Sequence, residues 1–435
     1  MEQSFQKSAA RANDYFRGLG QTIEQEWLRS EFDPGALAAI AERALCENPP
    51  HRSTTASDVM AWCVTAEHLG WQPNSEFRFG QPPLTVYCGR RFYIEALTWM
   101  NATMAIHQHG FAGAFCVLQG SSIHCTYAFR EHSRTTERLL VGDLVNLEAE
   151  HLRQGDVRRI ASGRGFIHAL YHLEQPSVSV VVRTTEDLSA GIPYSYFPPY
   201  IAIDPFDRDL WTIRALQYLD VVRKTDASSL PSFALAICER GDDLACFHVL
   251  HQLHQMQASS SFRELAPQVS IAAVLEVMTS RFGRLVEPMR ISAEEAIRRE
   301  EFATARRRTG DAELRYFLAL LMNVPRRADI LRLMEQRFGG DPVQKACQHI
   351  RALSMGEKPI ISREIGDDAL TVLEGMMRNL TVDGVAALLR GEEATRDASD
   401  VTAVRETMET LREQSFFRPL IADIDNAPAS RLLSV

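Results

Sequence analysis

Two short stretches decide the fold and point to the chemistry: residues 106–110, IHQHG, and residues 165–168, GFIH. His107 and His109 form an H-x-H pair, and alternate side chains of a β-strand point to the same face. If that face lines the inside of a barrel, two imidazoles are presented together, and a third ligand must come from another strand. His168 is the best candidate for this third ligand, because it lies in an apolar stretch late in the same region.

Histidines are concentrated in this part of the chain. Seven of the 13 histidines lie between residues 107 and 172, where strand propensity gives no reason for them. Neutral imidazole suits Fe, Zn, Cu and Ni better than Mg or Ca. We therefore predict a transition-metal site formed by His107, His109 and His168. The alternative is that the H-x-H pair faces solvent, or that these histidines only satisfy hydrogen bonds.

The segment around the histidines has the pattern of β-structure. Between residues 84 and 185, apolar residues alternate or come in short runs, and Gly and Ser separate the runs. Many short strands at short spacing predict a closed or sandwiched β-architecture. Two pairs, Gly142-Asp143 and Gly155-Asp156, predict tight hairpin turns, which need a positive φ.

Helical periodicity predicts helices on both sides of this β-region. Upstream, Leu37, Ile40 and Ala44 have helical spacing, and a second helix is expected to start near the cap candidate Ser57. Downstream of a Pro-rich linker at 192–205, apolar residues again recur every third or fourth position. The predicted fold class is α+β and multidomain, a β-barrel flanked by helices. The predicted domains are an N-terminal helical segment (1–83), the barrel with its metal site (84–190) and an all-α C-terminal domain (206–435).

The composition of the chain argues against several classes of protein. The chain has 435 residues and a formal net charge of −9, which argues against a dedicated nucleic-acid binder. The start, MEQSFQKSAARANDYF, has no apolar core, so no secretory signal is expected, and no apolar run is long enough to span a bilayer. The eight cysteines form no CxxC pair, which excludes a zinc ribbon and predicts reduced thiols in a cytoplasmic protein. We expect neither nucleic acid nor a membrane as a partner.

The β-region resembles a cupin, a small β-barrel with a metal site inside. The first cupin motif has H-x-H followed by a Gly further along, and here Gly120 lies eleven residues after His109. The second motif ends in Gly-x-x-His and then an Asn, which Gly165 and His168 match, with His172 in the Asn place. The resemblance implies a cupin-like barrel with its metal ligands inside.

One cupin subgroup is especially similar. Gly113 stands where many cupins carry a glutamate ligand, which leaves three histidines and no carboxylate. The same loss is a feature of the cysteine-dioxygenase-like thiol dioxygenases, which use Fe(II), and residues 175–183 resemble the Pro-x-Val-Ser strand of that subgroup. The histidine and tyrosine that the subgroup carries on this strand would fall at Val181 and Arg183. The resemblance implies Fe(II), while Zn, Ni, Mn or Cu are the alternatives.

Further roles follow from the same resemblance. Arg183 would bind the carboxylate of a cysteine-like substrate through its guanidinium group. Tyr127 or Tyr171 would replace the missing phenol as a proton donor, and His172 would form a hydrogen bond to the site. The alternative for each of these residues is a packing or surface role.

We therefore predict a metal-dependent cupin dioxygenase that oxidises a small thiol, or a thiol within a peptide or natural-product precursor, with O2. The helical C-terminal domain would supply a protein-partner surface, a lid or a peptide-binding surface. A 2-oxoglutarate oxygenase is disfavoured, because residues 107–109 lack the carboxylate of its facial triad. Two other hypotheses stay open: a non-catalytic metallo-cupin or ligand sensor with a helical interaction domain, and a scaffold whose helical region carries the function.

Overall fold

The structure is a computed structural model that describes residues 2–73, 80–100, 105–187, 189–206, 209–258, 271–354, 365–390, 398–414, 416–421 and 432. The chain divides into two units. The first unit consists of Met1–Phe129 and Glu150–Tyr196, and the second consists of Arg130–Ala149 and Phe197–Val435. The division into three domains stays a prediction.

The first unit begins with the helices α1 (Glu2–Arg29), α2 (Leu37–Glu47) and α3 (Ala56–Thr65). The start of α3 differs from the prediction, because its N-cap is Thr55 and not Ser57. The Thr55 hydroxyl accepts a hydrogen bond from the backbone N–H of Asp58, and the Asp58 carboxylate accepts one from the backbone N–H of Thr55. This reciprocal capping box satisfies two backbone donors that a start at Ser57 would leave unpaired.

The strands are β1 (Pro83–Cys88), β2 (Phe92–Trp99), β3 (Ile106–His109), β4 (Gly113–Gln119), β5 (Ser122–Thr136), β6 (Leu139–Leu152), β7 (Val157–Ile160), β8 (Gly163–His172), β9 (Ser177–Thr184), β10 (Ser195–Phe197) and β11 (Ile201–Ile203). They form a five-stranded sheet in the order β1-β2-β9-β4-β7, and a closed barrel in the order β10-β11-β6-β5-β8-β3. The closed β-architecture expected from the short, Gly-separated runs is confirmed.

Strand β4 positions the site because its two faces enter different cores. Ala114 and Cys116 pack in a cluster with apolar residues of α1 and α2. Phe115 and Val117, which alternate with them, pack in a second cluster that includes Trp99. The helices therefore cover one face of the five-stranded sheet, and the other face supplies aromatic side chains around the histidines.

The two predicted hairpin turns have different outcomes. Gly155 has a φ of +92° and lies in the turn between β6 and β7, as predicted. The prediction of a turn at Gly142-Asp143 is wrong, because both residues lie inside β6. The β5–β6 hairpin turns earlier, at residues 137–138. Asp143 instead contacts the strand before it, with its Oδ2 atom 2.6 Å from Nε2 of His132.

The second unit continues with α4 (Leu210–Thr225), α5 (Leu230–Arg240), α6 (Asp243–Ala258), α7 (Ile271–Phe282), α8 (Val286–Arg308), α9 (Ala312–Asn323), α10 (Arg327–Phe338), α11 (Pro342–Ser354), α12 (Asp367–Met377), α13 (Val382–Arg390), α14 (Ala398–Glu413) and α15 (Arg418–Ile421). Val141 and Ile201 from the barrel strands share a core with Phe247 and Leu250 of α6. The predicted α+β fold class is confirmed: a closed β-barrel, an N-terminal helical segment and a large helical C-terminal region. Among the described helices, none has the length and apolar character that crossing a bilayer requires.

Candidate metal centre

The structure brings His107, His109 and His168 together. Strands β3 and β8 pair in antiparallel fashion, with His107 directly opposite His168. The rings of His107 and His109 have their centroids 4.7 Å apart, and Nε2 of His109 lies 2.9 Å from Nε2 of His168. One nitrogen from each of the three residues lies within 4.8 Å of the others. The two sequence motifs therefore meet at one place inside the first unit.

The spacing of one pair of these nitrogens fits a shared transition metal. Two imidazole nitrogens that bind one ion at about 2.1 Å and at nearly a right angle are about 3.0 Å apart. The distance between Nε2 of His109 and Nε2 of His168 is 2.9 Å. Among the residues that the structure describes, the cluster that could hold a metal contains these three imidazoles and no carboxylate or thiol. Such a donor set suits Fe, Zn, Cu or Ni.

The protonation states also fit metal binding. Burial lowers the pKa of His107, and burial together with neighbouring charged groups lowers the pKa of His109 and His168 well below the usual 6.5. All three imidazoles are therefore neutral at pH 7, which is the form that binds metals. Nδ1 of His107 lies 2.8 Å from the carbonyl oxygen of Ala105 and must donate to it. This bond places the lone pair of a neutral His107 on Nε2.

Aromatic rings surround the cluster. The rings of His109 and Phe111 have their centroids 4.5 Å apart, and those of His168 and Phe166 are 4.6 Å apart. Phe115 lies 6.0 Å from His168 by the same measure. These rings contribute to the burial that lowers the pKa values of the three histidines.

Gly113 lies at a point of the sheet that has no room for a side chain. This residue pairs with Arg183 where β4 runs beside β9. A Cβ atom on Gly113 would lie 1.9 Å from the carbonyl oxygen of Val182, so no side chain fits without moving the strand. The strand pairing therefore excludes a carboxylate side chain at residue 113 unless the strand moves.

Arg183 lies beside the cluster and contacts it through one ring. Its guanidinium carbon is 3.7 Å from the centroid of Phe111, and Phe111 in turn contacts His109. One guanidinium nitrogen is 3.4 Å from the carboxylate of Glu95. Within the described part of the chain, Nε of Arg183 is buried and has no hydrogen-bond partner. This arrangement leaves a buried donor close to the metal cluster.

His172 shares one face of β8 with His168, four residues away. Its Nδ1 atom lies 3.1 Å from the hydroxyl oxygens of both Ser122 and Ser177. Its ring stacks on Trp99 with a centroid distance of 4.8 Å. These contacts fix the ring of His172 beside Trp99. The expected hydrogen bond from His172 to the three-histidine site stays a prediction.

The two candidate tyrosines lie on the opposite face of the barrel sheet. Thr126 is directly opposite His168 in the β5–β8 pair, and Tyr127 is opposite Ile167. Because adjacent strand residues alternate, Tyr127 points away from the face that carries His168, and so does Tyr171. The register therefore does not bring either phenol together with the three histidines, and their roles as proton donors stay predictions, as does the substrate-binding role of Arg183.

Three residues outside the predicted site connect to the cluster, and sequence reasoning gave no role to two of them, Glu150 and Arg158. Nε2 of His124 lies 3.1 Å from Nδ1 of His168, and Nδ1 of His124 lies 2.8 Å from the carboxylate of Glu150. Arg158 donates two hydrogen bonds to the same carboxylate. For His124, the sequence is compatible both with a hydrogen bond to the site and with a surface position near a turn. The available signal was its position between Ile123 and Cys125, in the middle of an apolar strand.

Glu150 is charged in this arrangement. Burial by itself raises the pKa of its carboxyl group, but the hydrogen bonds from His124 and Arg158 outweigh burial and lower the pKa to about 2. The side chain is 21% exposed, and that of His124 is 1% exposed. A buried histidine thus links a metal-ligand candidate to a carboxylate near the surface.

Comparisons with known proteins give no family by sequence, since no family model and no curated protein matches the chain. A crystal structure described for the DMSP lyases RdDddP and RnDddQII has 13% identity and a TM-score of 0.24, over 42% of this chain and 96% of that chain. DMSP lyase DddQ from Ruegeria pomeroyi DSS-3 has 16% identity and a TM-score of 0.23, over 42% and 98%. The barrel and its three-histidine cluster fit a cupin.

Proposed function

We propose that the protein is a metal-dependent cupin dioxygenase that oxidises a small thiol with O2, and that it holds Fe(II) through His107, His109 and His168. The observation that carries the proposal is a cluster of three neutral imidazoles without a carboxylate. An ion bound by three neutral ligands keeps its full positive charge, lowers the pKa of a bound thiol and offers open positions to substrate and O2.

The surrounding residues suit a small substrate with an anionic group. Phe111 and Phe166 contact His109 and His168 and keep water away from the reacting atoms. The guanidinium of Arg183 packs on the ring of Phe111 and has a buried donor available. A carboxylate on the substrate would pair with this donor, which orients the thiol toward the histidines.

The reaction adds both atoms of O2 to sulfur and needs no further reductant. The S–H bond of the thiol and the O–O bond of O2 are broken, two S–O bonds form, and the products are a sulfinate and one proton. Sulfur gives up the four electrons that the two oxygen atoms accept. A thiolate is the form of the substrate that reacts, so the proton leaves before the oxygen atoms are transferred.

The test is oxygen consumption by protein loaded anaerobically with Fe(II). The panel contains thiols with a carboxylate (cysteine, 3-mercaptopropionate), without one (cysteamine) and within a peptide (glutathione). We expect thiol-dependent O2 uptake that matches the sulfinate formed, with both oxygen atoms derived from labelled O2 by mass spectrometry. The His107→Ala variant is the matched control and should be inactive. Silence across the panel, with stoichiometric iron bound, would contradict the proposal.

A non-catalytic metallo-cupin that senses a ligand is the second candidate. It is favoured by one observation: Arg183 occupies the place of the tyrosine that thiol dioxygenases carry, and Tyr127 and Tyr171 lie on the opposite face. The same experiment separates the two candidates. Stoichiometric metal together with saturable thiol binding, but without O2 uptake, would support the sensor and exclude the dioxygenase.

A further inference from the structure

A chain of hydrogen bonds leads away from the metal cluster, and we name it the His168 relay. It runs from His168 to His124, then to Glu150 and Arg158. We propose that His124, Glu150 and Arg158 are positioning residues that hold His168 in the tautomer whose Nε2 atom binds the metal. This inference rests on the metal site of the proposed function and is independent of the thiol chemistry.

The carboxylate of Glu150 determines which groups of the relay donate hydrogen bonds and which accept them. An ionised carboxylate only accepts hydrogen bonds, so Nδ1 of His124 must donate to Glu150 across their 2.8 Å contact. Arg158 donates from Nε at 2.8 Å and also from Nη2. This two-point contact fixes the plane of the carboxylate and therefore the orientation of the His124 ring.

The contact between His124 and His168 determines which ring nitrogen of His168 carries the proton. Because the Nδ1–H group of His124 is directed at Glu150, its Nε2 atom accepts, and Nε2 lies 3.1 Å from Nδ1 of His168. His168 then carries its proton on Nδ1, and its lone pair is on Nε2, 2.9 Å from Nε2 of His109. The reverse direction would place a proton on Nε2 of His168, which faces the other ligands and would block metal binding.

Packing holds the central ring of the relay in place. His124 is 1% exposed, and the rings of Phe115 and Phe166 lie 5.9 Å and 6.0 Å from it. In the β5–β8 pair, Thr126 is opposite His168, so His124 lies one repeat further along the same face. Partners of a metal-binding histidine commonly fix its tautomer and raise its basicity, and their loss weakens metal affinity by about 10- to 100-fold.

The experiment measures the tautomer of His168 directly. Long-range nitrogen–proton correlation spectra of protein labelled with nitrogen-15 histidine show which ring nitrogen carries the proton, and a competing chelator gives the Zn(II) affinity. The His124→Leu variant removes the acceptor, whereas His124→Gln keeps one, because its amide oxygen can accept from His168. The matched control is His132→Leu, since His132 also pairs with a carboxylate on the same hairpin.

We expect the wild type, His124→Gln and His132→Leu to carry the proton of His168 on Nδ1 and to bind Zn(II) with similar affinity. His124→Leu should give mixed tautomers in metal-free protein and Zn(II) affinity about 10- to 100-fold lower. If His124→Leu does not fold, Glu150→Ala tests the relay from its other end.

The relay is overturned if His124→Leu, or Glu150→Ala in its place, keeps the wild-type tautomer and the wild-type affinity. The failure of the proposed function has a different signature. A wild-type protein that binds no Zn(II) removes the metal site, and a metal-loaded protein that never consumes O2 removes the dioxygenase. If the metal-loaded protein consumes no O2, the tautomer measurement can still support the relay.

Discussion

Two histidine–carboxylate pairs lie on strands β5 and β6, and they differ in the burial of the histidine and in what its second ring nitrogen contacts. His124 contacts Glu150 at 2.8 Å, and His132 contacts Asp143 at 2.6 Å. The side chain of His124 is 1% exposed, whereas that of His132 is 20% exposed. The second ring nitrogen of His124 bonds to His168 in the metal cluster. Similar local pairing thus links two strands in one place, and in the other it also contacts a residue of the three-histidine cluster.

The difference indicates that two features decide how much a histidine–carboxylate pair contributes: how deeply it is buried, and whether the histidine also bonds to a third group. A partly exposed ion pair contributes about 0–1 kcal/mol, because water competes for both groups. A buried pair that bonds to a third group costs more to break, since its partners are left unsatisfied. Substitutions in the two pairs should therefore give separate results, and each prediction below tests that separation.

The largest expected effect follows the loss of the ligand itself. The His168→Ala variant should lose its metal from a stoichiometric amount to background, because two imidazoles hold a transition metal far less tightly than three. The measurement is metal analysis of freshly purified protein and of protein reloaded with Fe(II) or Zn(II). His132→Ala is the control and should keep its metal. Unchanged metal in His168→Ala would remove His168 from the site.

Acid stability should separate the carboxylates of the two pairs. The folded-state pKa of Glu150 is about 2, below its usual 4.5, so its contribution to folding is complete above pH 4.5 and is lost as the pH falls toward 2. This carboxylate is 21% exposed, and its contribution, reduced for solvent screening, is about 2 kcal/mol. Denaturant unfolding from pH 5 to pH 2 should show a shallower pH dependence for Glu150→Gln than for wild type. Equal flattening by Asp143→Asn would erase the contrast.

The affinity for Zn(II) should respond to Glu150 and not to Asp143. Glu150→Ala leaves Nδ1 of His124 without its acceptor, so the ring of His124 no longer orients His168. We expect an affinity about tenfold lower, at the lower end of the range for such partners. Asp143→Ala should bind Zn(II) as the wild type does. Chelator competition measures both, and equal affinities in the two variants would argue against the comparison.

The smallest effect is expected at the end of the relay. The Arg158 side chain is 36% exposed, and Glu150 keeps its bond to His124 when Arg158 is removed. Arg158→Gln should lower the Zn(II) affinity by about threefold, in keeping with a partly exposed pair. Arg159→Gln, which removes the neighbouring ion pair with Glu42, is the matched control and should have no effect. A larger loss in the control would show that general destabilisation, not positioning, is being measured.

The three histidines could be predicted from the sequence because their signals are local. The H-x-H pair needs only strand alternation, and Gly-x-x-His places the third ligand on a later strand. Gly120 illustrates the same point: it has a φ of +83° between β4 and β5, a conformation that favours glycine. Local spacing therefore predicts the barrel and the histidine cluster together.

The relay could not be predicted, because it depends on strand register. Strands β5 and β6 have 15 and 14 residues, longer than the predicted runs, so the expected turn at Gly142-Asp143 falls inside β6. Which residues of a hairpin meet is set by its turn, and a shift of one residue moves every side chain to the other face. Glu150 follows His124 by 26 positions, and no local pattern joins them.

The helical region shows a further limit. Its helices follow from apolar periodicity, yet periodicity says nothing about what the exposed faces bind. The expectations of a protein partner, of a thiol substrate and of a cytoplasmic location stay predictions. The spacing of core residues predicts where a helix is buried, but it does not identify the partner that binds the exposed face of that helix.

The most direct test of the central claim is X-ray absorption at the iron edge of the Fe(II)-loaded protein. Imidazole rings give a characteristic scattering pattern, whose strength counts the histidines bound to the metal. We predict three imidazoles at about 2.1 Å and no sulfur from the protein, with the count falling in His168→Ala. A spectrum with fewer than two imidazoles, or an unchanged count in His168→Ala, would contradict the account.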